Sequence, residues 1–269
     1  MPEIDIDAIA EEIFAIYNTG GAVAPPSERF PEWNLDAAYA VEAVFARLRA
    51  ERGHRAVGRK VGFANKALWP AMKVKTVAWE RMYDDTVHFG AGEFALGNWR
   101  SLKIEPEIVF KLKRPITQAG LGAAEVLESV EWLALGFEIV DNPFPANFAL
   151  ADLIAAYGQH RGLVVGEPYV VNAAAIPALV EALARFPLRL LKDGTLVEEG
   201  SGSTIFGSPA LCLAELASAA MRQAGAEPLA AGEVITTGSI TTAQPIASGQ
   251  TWRAEADGLP TTSLTLPLL

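Results

Sequence analysis

From Val130 to Val140 the chain reads Val-Glu-Trp-Leu-Ala-Leu-Gly-Phe-Glu-Ile-Val. A run this apolar reads as a strand buried on both faces, so the fold must cover it from two sides. Glu138 is the charge nearest its middle, and a lone buried carboxylate is costly. It is neutral, paired with a base, or bound to a cation. The segment Lys103–Phe110 (Lys-Ile-Glu-Pro-Glu-Ile-Val-Phe) bears on that choice. Extended backbone repeats every two residues, so Glu105 and Glu107 share one face while Ile104, Ile108 and Phe110 take the other. Side-by-side carboxylates repel unless a cation or proton lies between them. Pro106 lacks a ladder donor and suits a sheet edge or an irregular strand near a site. Lys103 and Lys111 lie on the same face as the two glutamates, so a solvated surface is the plain alternative there. A salt bridge to an Arg or Lys elsewhere is the alternative for Glu138. If the three carboxylates converge, the donor set is all oxygen and favours magnesium, manganese or calcium over zinc.

The 269 residues suffice for one large domain, or a domain with a helical appendage. Hydrophobic residues make up 51% and charged residues 20%, which points to a sizeable core and away from disorder. The net charge of −10 argues against nucleic acid and anionic membrane as partners. An acidic small substrate stays open, because a bound divalent ion reverses the local field. Cys212 is the single cysteine, so no internal disulfide forms and a reducing cytoplasm fits. The acidic start (Met-Pro-Glu-Ile-Asp-Ile-Asp) does not read as a signal peptide, and no uncharged apolar stretch reaches the length of a membrane span. The expectation is a soluble cytoplasmic protein.

Helical spacing of Ile6, Ile9, Ile13 and Ile16 predicts a first helix ending at Asn18-Thr19-Gly20-Gly21. Asn34 or Asp36 caps a second, running to about Arg52. This pair forms an N-terminal helical segment, residues 1–55, ahead of a catalytic domain over 56–269. Ala56–Ala64 reads as a strand whose Gly58 and Gly62 mark a bulge or a close approach. Lys60 lies between them, either a surface lysine or, if buried near the carboxylates, a charge partner and proton donor. Asn65–Glu93 reads as a short helix and a loop. Gln159, His160 and Arg161 read as a loop between a helix and a short strand, a position suited to functional groups. Later come a helix after Pro177, a hairpin at Lys192-Asp193-Gly194, a helix from Pro209, and strands near Glu233–Thr237, Thr251–Ala256 and Thr262–Leu266. The pattern is α+β, β-rich with helices at the periphery.

Four motifs in order, Gly58-Arg59-Lys60-Val61-Gly62-Phe63, Ile104-Glu105-Pro106-Glu107-Ile108-Val109-Phe110, Gly136-Phe137-Glu138-Ile139-Val140 and Gly232–Ser239, resemble the fumarylacetoacetate hydrolase superfamily. They match its branch of 2-oxo-4-pentenoate hydratases and 4-oxalocrotonate decarboxylases. The resemblance implies a mixed β-sheet roll, a homo-oligomer, and a magnesium or manganese ion on Glu105, Glu107 and Glu138. It makes Lys60 the active-site lysine, with Phe63, Thr237, Gly238 and Ser239 facing the substrate. The implied activity is that of a lyase on a 2-oxo acid or its 2-hydroxydienoate enol, in aromatic catabolism. Decarboxylation and C–C hydrolysis share the same site and are the alternatives, and a non-catalytic homologue that partners an active enzyme is a further one. Where the hydratases carry Pro-Asp-aromatic-Gly this chain has Val77-Ala78-Trp79-Glu80, so an acidic group is missing. His160 is expected to replace it as acid or base, with Arg161 binding the substrate.

Overall fold

Asp5 accepts the Ala8 N–H and caps α1 (Ile6–Thr19), which Gly20 ends in a left-handed conformation. The turn α2 (Pro26–Arg29) follows, then α3 (Leu35–Glu51), capped by Asn34 through the Ala37 N–H. Thereafter the chain runs through β1 (Ala56–Gly62), α4 (Trp69–Met72), β2 (Ala78–Tyr83), β3 (Val87–Phe89), β4 (Leu102–Leu112), α5 (Ala123–Leu127) and β5 (Val130–Asp141). Next are α6 (Leu150–Ala155), β6 (His160–Val165), β7 (Tyr169–Val170), α7 (Ile176–Arg185), β8 (Pro187–Lys192), β9 (Thr195–Ser201) and α8 (Pro209–Arg222). The short strands β10 (Val234–Thr236), β11 (Gln244–Pro245), β12 (Thr251–Ala256) and β13 (Leu264–Pro267) complete it. This computed structural model describes residues 4–269 apart from positions 73, 91, 146 and 224; the first three residues of the acidic start lie outside the described residues.

The larger sheet has the order β2-β1-β10-β4-β5-β6-β3, with β11 beside β4 and β7 beside β5. Parallel pairs (β1 with β10, β3 with β6) mix with antiparallel ones. The smaller sheet runs β13-β12-β8-β9. This is the expected α+β fold, a curled mixed sheet with helices around it. The long β5 lies inside the sheet and is buried along nearly its whole length, as its apolar run requires. Ile104, Ile108 and Phe110 of β4 join the main core beneath α7 and α8. A second core packs α1 and α3 against α6, through residues such as Ile13, Phe45 and Ile154.

Several local expectations change. Ala78–Tyr83 and Val87–Phe89, read as loop, are strands; β2 pairs antiparallel with β1 and buries Trp79 and Met82. Its apolar alternation is broken by Glu80 and Arg81, which hid the period. His160 and Arg161 open β6, and both are buried rather than on a loop. Gly58 does mark a close approach, but by backbone: a Cβ there would lie 1.9 Å from the Val234 carbonyl oxygen of β10. Gly202–Arg222 is long and apolar enough to span a membrane by composition, yet 67% of that window is buried inside the fold, and α8 is a core helix.

Candidate metal centre and active-site cleft

Glu105 of β4 and Glu138 of β5 are direct cross-strand partners, and Glu107 follows two residues on, on the same face. Carboxylate oxygens from all three lie within 4.8 Å of one another. Glu107 and Glu138 are completely buried, which excludes a solvated face. Pro106 sits in a central strand, not at an edge. On the β5 side the ladder is continuous, but on the other side it is interrupted between Val109, paired with β10, and Ile104, paired with β11. The loop 237–243 fills that gap, and the Pro106 carbonyl accepts the Ile240 N–H. The strand is therefore irregular at the missing donor.

Lys60 reaches this cluster from β1. Three inter-strand steps separate β1 from β5, about 14 Å in a flat sheet. The Lys60 ammonium nevertheless lies 3.4 Å from Glu138 Oε2, so the curl of the sheet brings it there. It donates to the Gly158 carbonyl at 2.8 Å and is buried. Gly158 has φ 56°, and a Cβ there would fall 2.3 Å from Glu80 Oε2 and 2.8 Å from Lys60 Cδ. Only glycine fits. Its neighbours Tyr157 and Gln159 are also left-handed, so three consecutive residues hold a conformation that costs side chains energy.

Electrostatics at the cluster follow from burial. Burial and the Glu138 charge push Glu105 up to about 7. The same causes, with Glu105 added, raise Glu107 well above the usual carboxylate range, even though it accepts the Gly238 N–H at 2.8 Å. Burial would raise Glu138 too, but Lys60 and a hydrogen bond with His160 hold it low. Burial disfavours charge on Lys60, yet Glu138, Glu80, Glu105 and Glu107 outweigh it and keep the ammonium charged. Oε1 of Glu107 and Oε2 of Glu138 have no hydrogen-bond partner although both are buried. Glu138 Oε2 has only the Lys60 ammonium at 3.4 Å and Glu107 Oε1 has nothing, and an all-oxygen set so under-satisfied fits a hard divalent ion.

The cluster opens into a cleft of about 530 Å³ bordered by Lys60, Phe63, Glu105, Gly238 and Ser239. The structure thus brings these predicted residues together and leaves three others out. His160 is 3% exposed and behind Glu138: Nδ1 lies 2.8 Å from Glu138 Oε1, and Nε2 lies 3.0 Å from the Thr86 hydroxyl. Both ring nitrogens are engaged and neither faces the cleft, so His160 positions Glu138 and is not placed to exchange protons with substrate. Arg161 points elsewhere, donating to the Tyr17 carbonyl, Tyr157 hydroxyl and Asp141 carboxylate, where it ties α1 to the sheet. Thr237 is buried, its hydroxyl donating to the Ile108 carbonyl. Expecting these three at the substrate treated sequence proximity to a motif as side-chain direction.

One acidic residue was overlooked. Glu80 lies directly opposite Lys60 in the β1–β2 ladder, is 1% exposed, and has no partner for either carboxylate oxygen. Burial raises it well above the usual range, with Lys60 only partly offsetting this. The signal was available: a single acid in the apolar Val77-Ala78-Trp79-Glu80 is as conspicuous as Glu138.

Comparison with known proteins gives relatives along nearly the whole chain. The 2-hydroxyhexa-2,4-dienoate hydratase of Comamonas testosteroni is 27% identical over 262 residues, 96% of either chain. The 4-oxalocrotonate decarboxylase of Pseudomonas sp is 31% identical over 223 residues, 81% of either chain. Among solved structures, the 4-oxalocrotonate decarboxylase from Pseudomonas putida G7, complexed with magnesium and adipate, superposes with a TM-score of 0.89. That match covers 100% of both chains at 24% identity and shows the shared fold. Residues 53–266 match the family model described as fumarylacetoacetate (FAA) hydrolase C-terminal, and the chain belongs to that enzyme family.

Proposed function

We propose that the protein is a divalent-metal-dependent lyase of the hydratase type, acting on a 2-oxo acid or its 2-hydroxydienoate enol. The observation that carries this reading is the convergence of three glutamates, one with an unpartnered buried oxygen and one ion-paired to buried Lys60, at the cleft. Glu105, Glu107 and Glu138 would hold magnesium or manganese, and the magnesium of the Pseudomonas putida decarboxylase structure supports that choice. When bound, the ion would supply Lewis acidity to the carboxylate and keto oxygens of a 2-oxo acid. Lys60 enters the reaction charged, with its ammonium oriented by the Gly158 carbonyl, gives a proton to a carbon of the substrate chain, and is restored by the proton that leaves the enol hydroxyl. Phe63, Gly238 and Ser239 orient the substrate, and His160 holds Glu138 in place.

The relatives' names divide between hydration and decarboxylation, and both reactions draw charge toward the 2-oxygen. The 31% identity to a decarboxylase makes decarboxylation the second reading. The same proposal makes the protein a cytoplasmic homo-oligomer, with residues 56–269 as the catalytic unit; the family match over 53–266 supports that boundary. The test is to follow the ultraviolet absorbance of 2-hydroxypenta-2,4-dienoate with magnesium, and carbon dioxide release from 4-oxalocrotonate. Turnover should stop with a chelator and in Glu107→Gln. Absence of any metal-dependent turnover of either compound would remove the reading.

A further inference from the structure

Beyond the glutamate cluster, the charge lining of the cleft limits what a substrate's tail can be. Among the described residues that line it, Lys60 is the only cation, and its ammonium is already directed at Gly158 and Glu138. The nearest lysine in sequence, Lys66, is exposed and places its ammonium 4.2 Å from the centre of the Phe206 ring. Farther along, the walls are apolar at Phe63, Leu68 and Leu153, and acidic at Glu198 of β9; Glu199, the next residue, pairs with Arg189 on the opposite strand face.

Apart from Asn65 and Thr204, the neutral side-chain donors along these walls are committed elsewhere. Gln159 gives its amide to Asn142 Oδ1 at 3.0 Å, and the Ser239 hydroxyl donates to the Thr241 carbonyl at 2.9 Å. The Thr241 hydroxyl donates to the Thr242 carbonyl. Glu198 accepts from the Thr242 N–H and hydroxyl and from the Gln244 amide at 2.6–3.0 Å, which pins its negative charge to the wall. A second carboxylate on the substrate would find no uncommitted cation, few free donors, and the like charge of Glu198. An alkyl or alkenyl tail would find hydrocarbon.

We infer that the substrate is a monocarboxylate, a 2-oxo acid or its dienol whose tail is uncharged, and that a terminal second carboxylate is rejected at the cleft wall carrying Glu198. This rests on the site assignment proposed above and deepens it. It also separates the chain from relatives named for the dicarboxylate 4-oxalocrotonate, despite the shared fold.

The experiment compares two six-carbon 2-oxo acids, 2-oxohexanoate and 2-oxoadipate, binding to the full-length magnesium-loaded protein by calorimetry, with the magnesium-free protein as control. The expected result is magnesium-dependent binding of both, with 2-oxohexanoate tighter by about tenfold at low salt. The ratio should shrink at high ionic strength, and stay nearly unchanged in Glu199→Lys, an exposed position on the opposite strand face. Glu198→Gln, which removes the charge at the wall itself, should narrow it as high salt does. Equal or tighter binding of 2-oxoadipate by the unaltered protein overturns the inference and leaves the metal-site reading standing. If neither acid binds in a magnesium-dependent way, the metal-site reading fails and takes this inference with it.

Discussion

At the residue scale the clearest question is the state of Glu80. Its carboxyl is buried, unpartnered, and outside hydrogen-bonding contact with Lys60, whose ammonium is directed at Gly158 and Glu138. A neutral acid at this position differs little from an amide, so Glu80→Gln should cost less than about 1 kcal/mol in urea unfolding. An ionised Glu80 paired to Lys60 would instead make the same substitution cost about 3–5 kcal/mol. Urea midpoints at pH 7 decide between them. His160 offers a parallel test of its positioning role. Removing a group that orients a metal-binding carboxylate typically weakens metal affinity about 10–100-fold. His160→Ala should therefore raise the magnesium dissociation constant by that factor, with partial recovery in His160→Gln. A variant with unchanged metal affinity but lost turnover would return His160 to direct proton transfer.

Among the elements, the turn from Tyr157 to Gln159 controls the most with the least material. It supplies the acceptor for Lys60 and lies against Glu80, all in left-handed backbone. Gly158→Ala must push a methyl into the Glu80 carboxyl, and destabilisation of about 2–4 kcal/mol is expected, with a matching drop in thermal midpoint. Little or no loss would mean that Glu80 and Lys60 can shift freely. Nothing in Ala156-Tyr157-Gly158-Gln159 announces this turn, because two of the three left-handed residues are not glycine. The helices were legible from their caps and periods, as Asn34 and Gly20 show. So were β4 and β5, whose alternation and apolar length leave no other choice. The strand β2 was not, since Glu80 and Arg81 interrupt the apolar run. The metal-binding set was legible as a candidate because three carboxylates lie where burial demands an answer. The directions of His160, Arg161 and Thr237 were not, because they depend on the register of β6 and on how the chain leaves β10.

For the molecule as a whole, the glutamate cluster ties stability to pH and, with the metal proposed for it, to that ion. Glu105 sits at about 7 when the site holds no ion, above its ordinary 4.5, and Glu107 and Glu80 are displaced in the same direction. A carboxyl raised on folding binds its proton more tightly in the folded chain. Its contribution is complete below the ordinary value and is lost as pH climbs through the folded one. Glu138, shifted the other way, contributes above pH 4.5 and gives way only in acid. Between about pH 5 and 8 the metal-free protein should therefore lose thermal stability as pH rises. A divalent ion reverses the balance, because it binds the ionised carboxylates and releases their protons. Added magnesium should raise the thermal midpoint more at pH 8 than at pH 5.5, in proportion to how far it exceeds its dissociation constant. Replacing both Glu105 and Glu107 by Gln should reduce the metal-free slope and abolish the magnesium increment together. Thermal scans with chelator and with magnesium across that range measure both terms. A magnesium increment independent of pH would show that these carboxylates are ionised before metal arrives, and that a cation already inside the fold, with Lys60 the nearest, neutralises them.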